Sequence, residues 1–426
     1  QSTSPYALEE GRLADQGLSR QRAEKVRTEG CEKAVPVLKA INIGATVRKR
    51  EGSTPSLFLC PWHTWQVRQM KKVRVAIAGA SGYAGAELVR LAALHPHFDL
   101  HAVTSEKSAG SPVRTVFPSL AGLVALSFQA LSPEALADQA DAVFLALPHT
   151  KSLEPVSACL KTGKLVVDLS ADYRLTDPAV YEQWYKTPHT YPGLLKDAVY
   201  GLPELHRAAI AKARLVASPG CYPTAAVLQL APLFAQNLVQ PHTVVIDAKS
   251  GVSGAGRSPA LPYHFPEAHE SLEPYKIGGH RHIPEIEQEL GGLLQRASRP
   301  SKTVSAQPIV TFTPHLVPMN RGILSTAYCK LKNPMTLPDL RALYRDFYKG
   351  ERFVRFQEDT IPNPRYIKGS NYCDIGVYLD PRSGSVITVA ALDNLVKGAA
   401  GQAIQAMNLM LGFPEETGLT APAAYP

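Results

Sequence analysis

Cys221 lies in Ser218-Pro219-Gly220-Cys221-Tyr222-Pro223-Thr224, between a short apolar segment, Arg214 to Ala217, and the apolar run Ala225 to Leu233. This reads as strand, glycine turn, helix, with the thiol at the helix start. A helix N-terminus favours thiolate, the nucleophilic form of cysteine, and Pro223 suits a first turn where its missing N–H is not needed. A nucleophile wants a base. The candidate is His280 in Gly278-Gly279-His280-Arg281-His282-Ile283-Pro284-Glu285; spacing alone does not rank it above His282. A His-x-His pair can ligate metal, but no third ligand with sensible spacing is present in the sequence, so no metal is expected. Arg174, Arg257 and Arg281 are candidate clamps for carboxylate or phosphate, because a guanidinium meets either with two parallel hydrogen bonds. Ser218, beside the cysteine turn, and His149 join them as candidate substrate contacts.

These groups need a scaffold. Val73 to Ala78 reads as a buried strand, followed by Gly79-Ala80-Ser81-Gly82-Tyr83-Ala84-Gly85, a helical pattern from Glu87 to about Leu94, and a second strand, Asp99 to Thr104. Small residues between strand and helix let the backbone approach a pyrophosphate, and the helix start offers it free N–H groups. Gly79, Ser81, Gly82, Tyr83, Ala84 and Gly85 are therefore candidate cofactor contacts. Discrimination between NAD and NADP belongs at the end of the second strand, where Ser105 and Lys107 favour a 2′-phosphate and Glu106 opposes one. Two further strand-and-loop units, Asp141 to His149 and Leu165 to Arg174, predict a parallel, doubly wound sheet whose ligands lie at the strands' carboxyl ends, near Pro148, His149, Ser170 and Arg174.

Downstream, Ser250-Gly251-Val252-Ser253-Gly254-Ala255-Gly256-Arg257 is glycine-rich and lets backbone come close to a ligand at Ser253 and Gly254. Alternating strands at Ile309–Phe312, Ile323–Leu331, Cys373–Leu379 and Val386–Leu392, with a helix from Pro338 to Tyr348, predict a second, α+β domain. A long final helix beginning at Asn394 carries Ala399, Ala403, Ala406 and Met410 at packing spacing, suited to a return to the nucleotide half. The expected fold is thus α/β plus α+β: a Rossmann-type domain over 70–218, completed by 393–426, and a catalytic and oligomerisation domain over 219–392.

The formal net charge is +8, but residues 1–69 carry eleven Lys or Arg against seven Asp or Glu, half of that excess. The rest is too dilute for nucleic-acid binding and fits small anionic substrates. The stretch 1–69 lacks sustained periodicity and ends just before Met70. It reads as a disordered extension or as translated sequence ahead of the natural start; the rival reading is an organelle-targeting or regulatory tail. No run of about eighteen apolar residues appears, so no membrane span is expected. Six scattered cysteines without a C-x-x-C pair indicate a reduced, cytoplasmic setting. Cys159, Cys329 and Cys373 read as buried packing thiols.

Together these motifs resemble the N-acetyl-γ-glutamyl-phosphate reductase family of the aspartate-semialdehyde dehydrogenase superfamily. The matching stretches are Gly79 to Leu88, Pro219 to Thr224, Ser250 to Arg257, His280 to Glu285, Pro318-Met-Asn-Arg-Gly322 and Asp393 to Gly398, covering essentially 70–426. The resemblance implies Cys221 as the acyl-accepting nucleophile, His280 as the acid/base, and NADP as cofactor despite Glu106. It also implies Asn394 near the nicotinamide, a homodimer or homotetramer, and an acyl-phosphate substrate. The same chemistry on aspartyl phosphate or an aminoadipyl phosphate is the near alternative; a non-catalytic NADP-binding sensor is the distant one.

Overall fold

The computed structural model describes residues 72–298 and 307–425; the expectations for residues 1–69 lie outside them. Six strands build the first sheet: β1 (Val73–Ala78), β2 (Phe98–Val103), β3 (Ala142–Leu145), β4 (Leu165–Asp168), β5 (Ala198–Tyr200) and β6 (Leu215–Ala217). Their order is β2-β1-β3-β4-β6-β5 and every pairing is parallel. Parallel strands flanked by helices are buried on both faces, which is why they read as continuous apolar runs. The chain reverses its direction of travel across the sheet between β1 and β3, and a crevice opens there beyond the carboxyl ends.

The helix after β1 runs Tyr83–Leu94, starting a turn earlier than Glu87. Its first residues are small because they touch backbone. A Cβ added at Gly85 would lie 2.4 Å from the Gly79 carbonyl oxygen, and one at Gly79 (φ +74°) 2.4 Å from that of Ala146. Apolar periodicity is weak where packing demands glycine and alanine.

Seven strands build the second sheet: β7 (Val244–Gly251), β8 (Glu273–Pro274), β9 (Val310–Val317), β10 (Ile323–Lys330), β11 (Val354–Phe356), β12 (Cys373–Asp380) and β13 (Ser385–Leu392). The order is β11-β12-β13-β10-β7-β9-β8; β7 with β9 and β11 with β12 are parallel and the rest antiparallel, so the sheet is mixed. Helices Cys221–Ala235, Ile283–Ala297 and Leu337–Phe347 share a core with one face of it. On the other face Val245 and Tyr328 remain exposed.

The chain then returns. Val396, Ala400, Ala403, Ala406 and Met407 are buried in the same core as Val75, Ile77 and Phe144 of the first sheet. This final segment is not one α-helix from Asn394. Val396–Ala400 is a π-helical turn, and the α-helix proper is Gly401–Met410. The widened turn carries Lys397 inward to Glu204, at 2.6 Å and with neither side chain exposed, while a Cβ added at Gly398 would lie 2.8 Å from that of Cys221. The two sheets are also tied through Arg321, which meets Glu87 of the first helix at 2.8 Å and Asp393 at 3.5 Å.

Candidate active site

A cleft of about 1370 Å³ opens where the first sheet's carboxyl edge faces the start of the Cys221–Ala235 helix. Every residue singled out above as a catalytic, cofactor or substrate candidate lines it, except Ser170, which is buried against the Asp168 carboxylate.

Cys221 is partly buried at the first position of its helix, after Gly220 in extended conformation. The turn is held from behind by Glu285. One Glu285 oxygen accepts from the Gly220 N–H and from the Tyr200 hydroxyl, each at 2.8 Å; the other meets Arg174 at 3.3 Å. Arg174 also donates to the carbonyls of Ser218 (2.7 Å) and Leu169 (2.8 Å). Its guanidinium is thus largely committed to the protein and neutralised by Glu285, so it braces the cysteine turn from the cleft wall.

Sequence reasoning assigned no role to Glu285 or Tyr200. The first stands three residues after His282, in the opening turn of the Ile283–Ala297 helix; no local signal ties it to Gly220.

Burial pushes the Cys221 thiol up to about 11, while Arg174 and the N–H groups of the helix start pull it back. The helix effect expected from the sequence is present, but burial outweighs it, so the thiol is protonated at neutral pH. Burial and neighbouring cations, Lys276 and Arg281, pull His280 down to about 3, and burial with the adjacent His280 depresses His282. Both imidazoles are neutral at pH 7. Their rings are 4.7 Å apart, and the His282 N–H donates to Nδ1 of His280 at 3.2 Å. A Cβ added at Gly220 would lie 2.6 Å from Nε2 of His282, so the second histidine also abuts the cysteine turn.

A resting neutral thiol has a measurable signature. Without substrate, the rate at which iodoacetamide alkylates Cys221, followed by peptide mass mapping, rises about tenfold per pH unit from 7 to 10, because only thiolate reacts. A rate already level near pH 7 would show a resting thiolate–imidazolium pair and contradict this assignment.

Beside the histidines stand two cations. Arg281 rests 5.2 Å from the centre of the Tyr185 ring. The pKa of Lys276, a cleft residue that sequence reasoning passed over, is lowered by burial and by Arg281. Among the described residues neither forms an ion pair. Nδ1 of His149 accepts from the Ala171 N–H at 3.1 Å, and burial with Arg174 holds this ring neutral, down to about 3. The proton of neutral His149 therefore sits on Nε2, as a donor.

At the other end of the cleft lies the glycine turn. Gly82 precedes the Tyr83–Leu94 helix without a capping side chain, and no acidic residue occupies its first turn. An uncompensated helix start and a cradle too narrow for any Cβ at Gly79 or Gly85 fit a dinucleotide pyrophosphate. Ser81 and Ser105 hydroxyls meet at 2.7 Å, and Ser105 accepts from the Ser108 N–H at 3.1 Å. Asn394 accepts from the Gly322 N–H at 2.8 Å and donates to the Ser253 hydroxyl at 3.0 Å, fixing the loop after β7. Arg257, expected among the substrate clamps, lies instead at the glycine turn. It donates to the Ser81 carbonyl at 3.1 Å and covers the Phe117 ring, 4.9 Å from its centre.

A parallel dinucleotide-type sheet joined to a mixed sheet, with a cysteine helix and two histidines between them, defines a semialdehyde-dehydrogenase-type oxidoreductase. Family models agree: residues 74–213 match the semialdehyde dehydrogenase NAD-binding domain and residues 221–394 the semialdehyde dehydrogenase dimerisation domain. Among solved structures, aspartate semialdehyde dehydrogenase II of Vibrio cholerae, complexed with ASA, aligns with a TM-score of 0.60 at 17% identity, over 80% of this chain and 99% of that one. The Candida albicans aspartate semialdehyde dehydrogenase with NADP aligns with a TM-score of 0.58 at 17% identity, over 80% and 99%. These likenesses concern the fold. Curated relatives are nearer. The N-acetyl-gamma-glutamyl-phosphate reductases of Geotalea daltonii and Syntrophobacter fumaroxidans are each 52% identical, over 83% and 82% of this chain and 100% and 98% of their own lengths. The chain belongs to the N-acetyl-γ-glutamyl-phosphate reductase family.

Proposed function

We propose that the chain reduces N-acetyl-γ-glutamyl phosphate to N-acetylglutamate 5-semialdehyde with NADPH, through a thioester on Cys221, as a step of arginine biosynthesis in the cytoplasm. The observation that carries the reading is the single cleft that joins a helix-start thiol, two neutral imidazoles and two cations without carboxylate partners to a dinucleotide cradle. Arg281 and Lys276 suit a substrate that carries both a carboxylate and a phosphate, and His149 offers it a neutral donor.

The chemistry divides as follows. Cys221 sulfur attacks the γ-carbonyl carbon; the S–C bond forms, and the bond to the phosphate oxygen breaks with its electron pair leaving on phosphate. Neutral His280 takes the thiol proton on Nδ1, its unprotonated nitrogen, giving up the 3.2 Å donation from the His282 N–H as it does so, with His282 beside it. The bound cofactor supplies a hydride to the thioester carbonyl. N–H groups at the helix start stabilise the resulting oxyanion. The C–S bond then breaks, the aldehyde forms, and the sulfur recovers its proton from His280. Arg174, Glu285 and Tyr200 hold the turn that aims the sulfur. Asn394 holds Ser253, and Ser253 and Gly254 would hold the cofactor when it is bound.

Residues 70–218 with 393–426 would serve the cofactor, and 219–392 would serve catalysis and assembly. A homodimer or homotetramer through the open face of the second sheet, with exposed Val245 and Tyr328, accords with the dimerisation model matched there. A substrate panel tests the reading: N-acetylglutamate semialdehyde is oxidised in preference to aspartate semialdehyde and an aminoadipyl analogue. Preference for either of the others would keep the thioester chemistry and overturn the substrate.

A further inference from the structure

The end of β2 offers the Ser105 hydroxyl and Lys107 to a 2′-phosphate, and the turn after β1 adds the Ser81 hydroxyl, but Glu106 stands between Ser105 and Lys107 and opposes it. On those residues alone the cofactor choice is balanced. The fold adds a second cation from the other half of the molecule. Gly256, at φ +87°, turns the chain after the Val252–Ala255 segment and delivers Arg257 to the glycine turn.

There the guanidinium is fixed on two sides, by the Ser81 carbonyl at 3.1 Å and the Phe117 ring at 4.9 Å. One of its five N–H groups is used, and the others remain for a ligand. Ser81 is the residue whose hydroxyl meets Ser105 at 2.7 Å. Arg257 therefore stands over the same small area as the Ser81–Ser105 pair, and Lys107 lines the same cleft. Among the described residues neither Arg257 nor Lys107 forms an ion pair. Two such cations and a hydroxyl pair against one carboxylate make a site for a phosphate monoester, which carries nearly two charges at neutral pH.

We propose that Arg257 is the residue that selects a 2′-phosphorylated dinucleotide over an unphosphorylated one. The proposal rests on the dinucleotide reading of the cleft and deepens it. It also gives the selection a reach. The loop that carries Arg257 is held at its other end by the bond from Asn394 to Ser253, so an occupied phosphate site steadies that loop from both ends.

The test is calorimetric binding to the full chain, which needs no turnover. The probes are 2′,5′-ADP and 5′-ADP, with wild type, Arg257→Ala and Arg257→Lys. Wild type binds 2′,5′-ADP more tightly than 5′-ADP. Arg257→Ala lowers that ratio by roughly 10- to 100-fold, the range of one charge-assisted phosphate contact, and leaves 5′-ADP nearly unchanged. Arg257→Lys recovers part of the ratio. A wild-type preference that survives in Arg257→Ala would overturn the proposal and leave the NADP reading standing. Equal weakening of both probes would also overturn it, by making Arg257 an adenosine contact. No preference in wild type would overturn both the proposal and the NADP reading.

Discussion

Cys221→Ser loses reduction of the acyl phosphate by on the order of 10⁴-fold or more, because the covalent route through the thiol closes. Cofactor binding survives. The dinucleotide cradle is built from Gly79, Gly82 and Gly85 at the first sheet, and Cys221 contributes no bond to it. The turn survives as well, since Glu285 holds the Gly220 backbone N–H and not the thiol. Three readouts separate this from a folding defect. Turnover is lost, the calorimetric affinity for NADPH stays within about twofold of wild type, within the usual scatter of surface changes, and the melting temperature is unchanged. In addition, wild type incubated with acyl phosphate and no cofactor gains an acyl mass on the Cys221 peptide, and the variant does not. Retained turnover in Cys221→Ser would contradict the mechanism outright.

Lys397→Met is expected to destabilise the fold by about 3–5 kcal/mol, the range for breaking a buried ion pair at one partner. Glu204 and Lys397 are both fully buried and 2.6 Å apart. Burial works to raise Glu204, yet the neighbouring ammonium keeps its carboxyl below the usual range. Lys397 also donates to Gln405 at 2.9 Å. Removing the ammonium leaves a carboxylate in a dry site with no cation against it, held by its own backbone N–H and the 3.3 Å donation from Gln405. The effect reaches the chemistry, because the same π-helical turn sets Gly398 against Cys221. Thermal unfolding measures the loss. The double variant Lys397→Met with Glu204→Gln recovers much of it, because no buried charge is then left alone. A single variant as stable as wild type would show that the pair does not hold the turn.

What was legible in the sequence was local chemistry. Val73 to Ala78 followed by spaced glycines, Gly-Cys at the start of an apolar run, and a glycine pair before His280 each announce themselves within a few residues, since the constraint is on the nearby backbone. The illegible parts are long-range. Glu285 supports a turn 65 residues earlier, and Lys397 finds Glu204 across 193. Arg257 travels to Ser81 across 176, and nothing in its own loop says which half of the molecule it will meet. The three-residue β5, too short for a periodic signal, went unread, and with it Tyr200. The π-helical turn could not be seen, because a burial pattern rich in alanine and glycine does not distinguish a widened turn from a regular one. The burial that opposes the helix start at Cys221 is likewise invisible in the sequence, because it belongs to the folded cleft.

Acyl transfer through a Cys221 thioester to phosphate is tested most directly by running the reaction in reverse with N-acetylglutamate 5-semialdehyde, NADP and inorganic phosphate. NADPH formation is expected to depend strictly on phosphate and to disappear when Cys221 is alkylated. NADPH formation without phosphate, or undiminished after alkylation, would contradict it.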